Sequence, residues 1–104
     1  MIKYYVNEGK RQVIGVLDGT KYDVVNKIDK ILDGTSFCYI NDKCLMPDSF
    51  RTVVTCDPAD EFDVKTGKDK VKERIMNRYY KSFDKRLDIF IDDVNSLWGQ
   101  FFEA

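Results

Sequence analysis

Asp63–Phe102 reads DVKTGKDKVKERIMNRYYKSFDKRLDIFIDDVNSLWGQFF. The run holds no proline, and its apolar positions Val64, Val71, Ile75, Tyr79, Phe83, Leu87, Phe90, Val94, Leu97 and Phe101 recur almost always at steps of three or four. That is one face of an α-helix, because about 3.6 residues per turn bring every third or fourth side chain back to the same side. At ~1.5 Å per residue, some 40 residues make a rod of about 60 Å, more than one small core can cover. Either the rod breaks near Asn77–Ser82 and folds back as two helices, or it projects to meet another molecule. From Leu87 onward the steps are 3, 4, 3 and 4, a heptad seam that Ile91 and Trp98 widen. That end packs on the protein's own sheet, or it joins a second copy or a partner helix through Leu87, Phe90, Val94, Leu97 and Phe101.

Just upstream, Asp57-Pro58-Ala59-Asp60-Glu61-Phe62-Asp63 has the chemistry of a helix start. Proline suits a first helical position, and carboxylates favour the positive end of the helix dipole. Asp57 and Asp63 both qualify as N-cap, and Asp63 is favoured by analogy with Asp23. Gly67 costs roughly 1 kcal/mol relative to alanine inside a helix. Its presence predicts a close approach of this helix to a sheet.

The remainder of the chain supplies that sheet. Ile2–Val6 reads as a strand, Asn7-Glu8-Gly9-Lys10 as a turn and Arg11–Leu17 as the returning strand. After Asp18-Gly19-Thr20, with Thr20 as the expected N-cap, a helix follows with Val24, Val25, Ile28, Ile31 and Leu32 on one face and Gly34 at its end. Ser36–Ile40 and Phe50–Cys56 read as two more strands. The order is strand, strand, helix, twice over. It predicts an α+β fold, ββαββα, with a four-stranded, mainly antiparallel sheet, helices on one face, and a long or broken C-terminal helix. A shift of 40 residues matches Arg11/Arg51, Val13/Val53, Asp23/Asp63, Val24/Val64, Asp29/Asp69 and Lys30/Lys70, six identities over 23 positions. Duplication of a ββα unit and convergence of two strand-to-helix junctions both account for it. The chain thus reads as a single domain over 1–104, divisible into tandem units 1–34 and 35–80 with a helical extension over 81–104.

The 104 residues suffice for one domain with a modest core, to which seven Phe, six Tyr and one Trp contribute. Charged residues are 34% of the chain yet cancel to a net −1. Any electrostatic partner must therefore be recognised locally. No apolar run approaches the ~20 residues a bilayer span needs, and Met1-Ile2-Lys3-Tyr4-Tyr5 lacks the layout of a signal peptide. Cys38, Cys44 and Cys56 form no close pair, which points to a reducing cytoplasm.

Catalytic chemistry finds little support. The absence of histidine removes the commonest general base and the commonest zinc ligand. Pro47-Asp48 with Asp63-Val64-Lys65 matches the loose arrangement of metal-dependent nucleases, but the second half falls at a helix start where a strand is wanted. The acids Asp57, Asp60, Glu61 and Asp63 are explained by capping and need no cation. The expectation is a protein without enzymatic activity, metal or cofactor.

Charge along the C-terminal helix is blocked. Asp57–Asp63 holds four acids and no base, Lys65–Arg86 nine bases against three acids, and the stretch from Asp88 onward four acids and no base. Within the basic block Lys70, Arg74, Arg78, Lys81 and Lys85 are spaced 4, 4, 3 and 4, a stripe along one helical face. Such a stripe suits an acidic protein groove, a ribonucleoprotein or a phosphate backbone; a merely solvated face is the alternative. Phe90, Trp98 and Phe101 extend the candidate surface with apolar anchors.

Val54-Thr55-Cys56-Asp57-Pro58-Ala59-Asp60-Glu61-Phe62-Asp63, followed by Gly67-Lys68 and Arg74, resembles small uncharacterised proteins of phages, prophages and conjugative elements in Firmicutes. Compact proteins of that origin include inhibitors of host defence such as anti-CRISPR proteins, which occupy a nucleic-acid or protein-binding surface. The resemblance implies a binding protein in the bacterial cytoplasm that docks on a protein or ribonucleoprotein. Direct nucleic-acid binding through the stripe is the second expectation, and a homodimer is compatible with both.

Overall fold

The computed structural model describes residues 1–32 and 42–103, with side chains placed as far as residue 99. The chain is α+β. A three-stranded antiparallel sheet comprises β1 (Ile2–Asn7), β2 (Gln12–Asp18) and β3 (Ser49–Thr55), in that spatial order. Helix α1 spans Asp23–Ile31, a short 3-10 turn covers Asp42–Cys44, and helix α2 runs through Val64–Glu103. The strand expected over Ser36–Ile40, the C-cap at Gly34 and Cys38 lie outside the described residues.

The chain divides into two compact units. Met1–Thr20 with Pro47–Tyr80 form one, and Lys21–Met46 with Lys81–Ala104 the other. In the first unit, β1 turns into β2 with Asn7 Oδ1 accepting from the Lys10 amide at 3.1 Å and Glu8 O from the Arg11 amide at 3.1 Å. Pairing is regular from Ile2↔Leu17 to Asn7↔Gln12, and β2 continues onto β3 from Gln12↔Thr55 to Asp18↔Ser49. Because strand side chains alternate in direction, Val13, Gly15 and Leu17 share one face with their partners Val54, Thr52 and Phe50.

That face lies under the first half of α2. Val13, Phe50, Val54, Val71 and Ile75 are buried there, and Tyr79 meets Phe50 edge-on with ring centroids 5.9 Å apart. Two glycines permit the approach. A Cβ at Gly67 would lie 2.5 Å from Val13 Cγ2, and one at Gly15 would run into Val71 and Ile75. The close helix–sheet approach read from Gly67 is therefore present, with a second glycine on the opposing strand.

Asp63 is the residue that starts α2. Its Oδ1 accepts from the Lys65 amide at 3.0 Å and its Oδ2 from the Thr66 hydroxyl at 2.8 Å. Thr20 departs from expectation. Helix α1 opens at Asp23 behind Tyr22 with no side-chain cap, and Thr20 is buried with its hydroxyl donating to Pro47 O at 2.6 Å. The amides of Gly19 and Thr20 both donate to Asp48 O, at 2.9 and 3.3 Å, so Thr20 is committed to the turn that enters β3.

In the second unit Val24 and Ile28, four residues apart on α1, are buried together with Cys44 and Met46. Ile31, expected on that inner face, is 68% exposed. Arg86 is the polar tie: its Nε donates to Leu45 O at 2.9 Å and its Nη1 to Ser82 Oγ at 2.7 Å. Helix α2 has no break at Asn77–Ser82; it is continuous over 40 residues.

Candidate binding surface on the C-terminal helix

The cations of α2 sit differently from one another. Lys70, Arg74 and Arg78 belong to the first unit and Lys81 and Lys85 to the second, and all five are exposed. Arg78 is engaged within the fold. Its Nη1 donates to Arg51 O at 2.7 Å and to Thr52 Oγ1 at 3.3 Å, and its guanidinium lies 5.9 Å from the Phe50 ring centre. Among the described residues no carboxylate forms an ion pair with Lys70, Arg74, Lys81 or Lys85. The local pair between Lys85 and Asp88 that would neutralise the stripe is not formed. On the other flank of the helix Lys68 Nζ stands 5.7 Å from the Tyr4 ring centre.

The apolar part of the expected surface is uneven. Leu87 and Phe90 are half-buried, while Ile91, Val94, Leu97 and Trp98 are exposed, Trp98 to 66%. Leu32, Phe90, Ile91, Val94 and Asn95 line an open apolar groove of about 340 Å³ in the second unit. The side chain of Phe101 lies outside the described residues.

A larger cleft of about 610 Å³ opens at the start of α2, bounded by Cys56, Asp57, Asp60, Asp63, Thr66 and Lys70 among others. Arg11 orders its rim. The Arg11 guanidinium donates to the carbonyl oxygens of Asp57 and Asp60 and lies 3.4 Å from Cys56 Sγ. The acids are used locally. Asp57 Oδ1 accepts from the Ala59 amide at 2.9 Å, and Asp63 caps the helix, its carboxyl held below the usual aspartate range by the Thr66 hydroxyl above all. Among the described residues no group of three or more His, Cys, Asp or Glu is placed to hold a metal ion. Asp48 accepts backbone hydrogen bonds at the entry to β3 through its carbonyl, and Asp63 and Lys65 open α2.

The role of Arg11 was not legible in advance, because its partners are carbonyl oxygens about 46 residues away. Nor was that of Arg78, whose spacing assigns it to the stripe while its guanidinium turns onto β3. Among the described residues no helix is long and apolar enough to cross a membrane. Comparison with protein-family models, curated proteins and solved structures finds no match.

Proposed function

We propose that this chain is a non-enzymatic binding protein that docks through the cations of α2 on an acidic protein or ribonucleoprotein surface. The observation that carries the reading is the set Lys70, Arg74, Lys81 and Lys85, exposed on one helix and without ion pairs among the described residues. Charges left unneutralised on a regular element keep their hydration and their reach until a partner arrives. The resemblance to compact mobile-element proteins supports an inhibitor that covers part of a host defence complex in the bacterial cytoplasm. Phe90 and Trp98, and the apolar residues around them, serve this reading as contacts of the second unit.

The test follows the charges. Lys70→Glu with Arg74→Glu, and separately Lys81→Glu with Lys85→Glu, should each reduce capture of the partner while thermal unfolding stays unchanged. Reversal of Lys65 and Lys72, on the same helix but away from the stripe, should leave capture intact. Equal loss from all three pairs would reduce the claim to unspecific charge. Direct binding of nucleic acid is the second reading, favoured by the run of five cations at helical spacing. It requires affinity that falls about a thousandfold between 50 and 200 mM salt if about six phosphates are contacted.

A further inference from the structure

We propose that the sheet face opposite the first half of α2 binds single-stranded nucleic acid, with a base stacked on Tyr5 and neighbouring phosphates held by Lys3 and Arg51. The site lies wholly on the sheet and stands apart from what the α2 stripe docks on. Side chains alternate along a strand, so the residues between those packed under α2 point the opposite way. The two faces differ in burial. On the α2 side Val13, Gly15, Phe50 and Val54 are buried, whereas no residue of β1, β2 or β3 on the other side is.

Strand register sorts this outer face into rows. Tyr5 pairs with Ile14 and Ile14 with Val53, so a phenol ring and two β-branched side chains cross the sheet side by side. One row along, Lys3, Val16 and Arg51 align in the same way, with a cation on each outer strand and an apolar residue between them. Rows on one face are about 7 Å apart and adjacent strands about 5 Å, so both cations reach a ligand that rests on the Tyr5 row. Tyr5 is 55% exposed. Lys3 and Arg51 are exposed too, and neither forms an ion pair among the described residues. The one acid of the face, Asp18, pairs with Ser49 beyond the cation row, on the side away from Tyr5.

The chemistry of these rows selects the occupant. Two uncompensated cations attract anions, and a ring set in an apolar row attracts a flat apolar group. Nucleotides supply both at every repeat, and every base has a π-face on which an aromatic side chain can stack. An acidic peptide brings the charge without a ring at each step. A duplex keeps its bases stacked inside, out of reach of a flat sheet. The positive charge also continues past the face. At the β3 edge the Arg78 guanidinium is bonded to the Arg51 carbonyl at 2.7 Å, so a strand leaving the sheet there meets a third cation.

The test is fluorescence anisotropy with a labelled oligothymidylate of about 12 nucleotides. It is run in about 0.1 M salt, where charges more than ~10 Å apart are largely screened. Wild type should bind. Tyr5→Ala should bind about tenfold more weakly, and Tyr5→Trp at least as tightly as wild type. Lys3→Glu with Arg51→Glu should bind about a hundredfold more weakly, since each reversal removes an attraction and adds a repulsion. Lys70→Glu with Arg74→Glu, on α2, should stay within about threefold of wild type. All these positions are exposed, so the variants should fold. No binding by wild type up to about 100 µM, or equal affinity for Tyr5→Ala and Tyr5→Trp, would overturn the proposal. So would a loss in the Lys70/Arg74 variant as large as in the Lys3/Arg51 variant, which would place the nucleic acid on α2 instead.

Discussion

At the scale of single residues, two glycines and one aspartate set where α2 lies and where it begins. Alanine at Gly67 would improve helix propensity by roughly 1 kcal/mol. The added methyl, however, falls 2.5 Å from Val13 Cγ2, on a β-branched side chain with little rotameric freedom to move aside. Overpacking of this kind costs about 1–3 kcal/mol, so Gly67→Ala should lower the denaturation midpoint. Adding Val13→Ala, which vacates the space, should recover part of the loss relative to Val13→Ala alone. Asp63 gives a pH signature. Its carboxyl is held below the usual aspartate range by the Thr66 hydroxyl and then by backbone amides. A depressed folded pKa contributes stability above the unfolded value, lost as pH falls through the folded one. Asp63→Asn keeps a capping acceptor but cannot ionise. Wild type should therefore exceed it in denaturation midpoint at pH 7, and the advantage should shrink as pH falls below the ordinary aspartate pKa and through the depressed folded one.

At the scale of elements, α2 is continuous because each half has its own attachments. Val71 and Ile75 are buried against the sheet in the first unit, and Arg86 ties the helix to Leu45 in the second. Ile75→Ala should cost about 2–5 kcal/mol, measured by chemical denaturation, since Ile75 is wholly buried. Arg78→Ala should lower stability by about 1 kcal/mol through lost hydrogen bonds on β3, which makes it a poor probe of binding. The three described strands were legible to within a residue at either end, because alternating apolar residues and the turns at Asn7–Lys10 and Asp18–Thr20 are local signals. Gly67 and Asp63 were legible for the same reason. What escaped the sequence are interactions set by distant carbonyls: Thr20 on Pro47, Arg11 on Asp57 and Asp60, Arg78 on Arg51. Hydrophobic spacing also left the helix break open. It records which side chains avoid water and is silent on which surface covers them.

For the whole molecule, the near-zero net charge conceals a segregated distribution, and α2 carries nine of the 17 bases. The stripe itself was legible in the spacing of its cations. Its state was not, since only the fold reveals that Arg78 is used on β3 while Lys70, Arg74, Lys81 and Lys85 form no ion pair among the described residues. In the proposed reading this charge meets a complementary surface on a partner. The most direct measurement is a tagged pull-down from a Firmicute lysate with three baits: wild type, Lys70→Glu with Arg74→Glu, and Lys65→Glu with Lys72→Glu. Half of each sample is treated with nuclease before elution. A protein that survives nuclease, is retained by wild type and the Lys65/Lys72 variant, and is lost from the Lys70/Arg74 variant is the predicted result. Retention by all three baits, or capture that vanishes with nuclease, would contradict docking on a protein surface through the stripe.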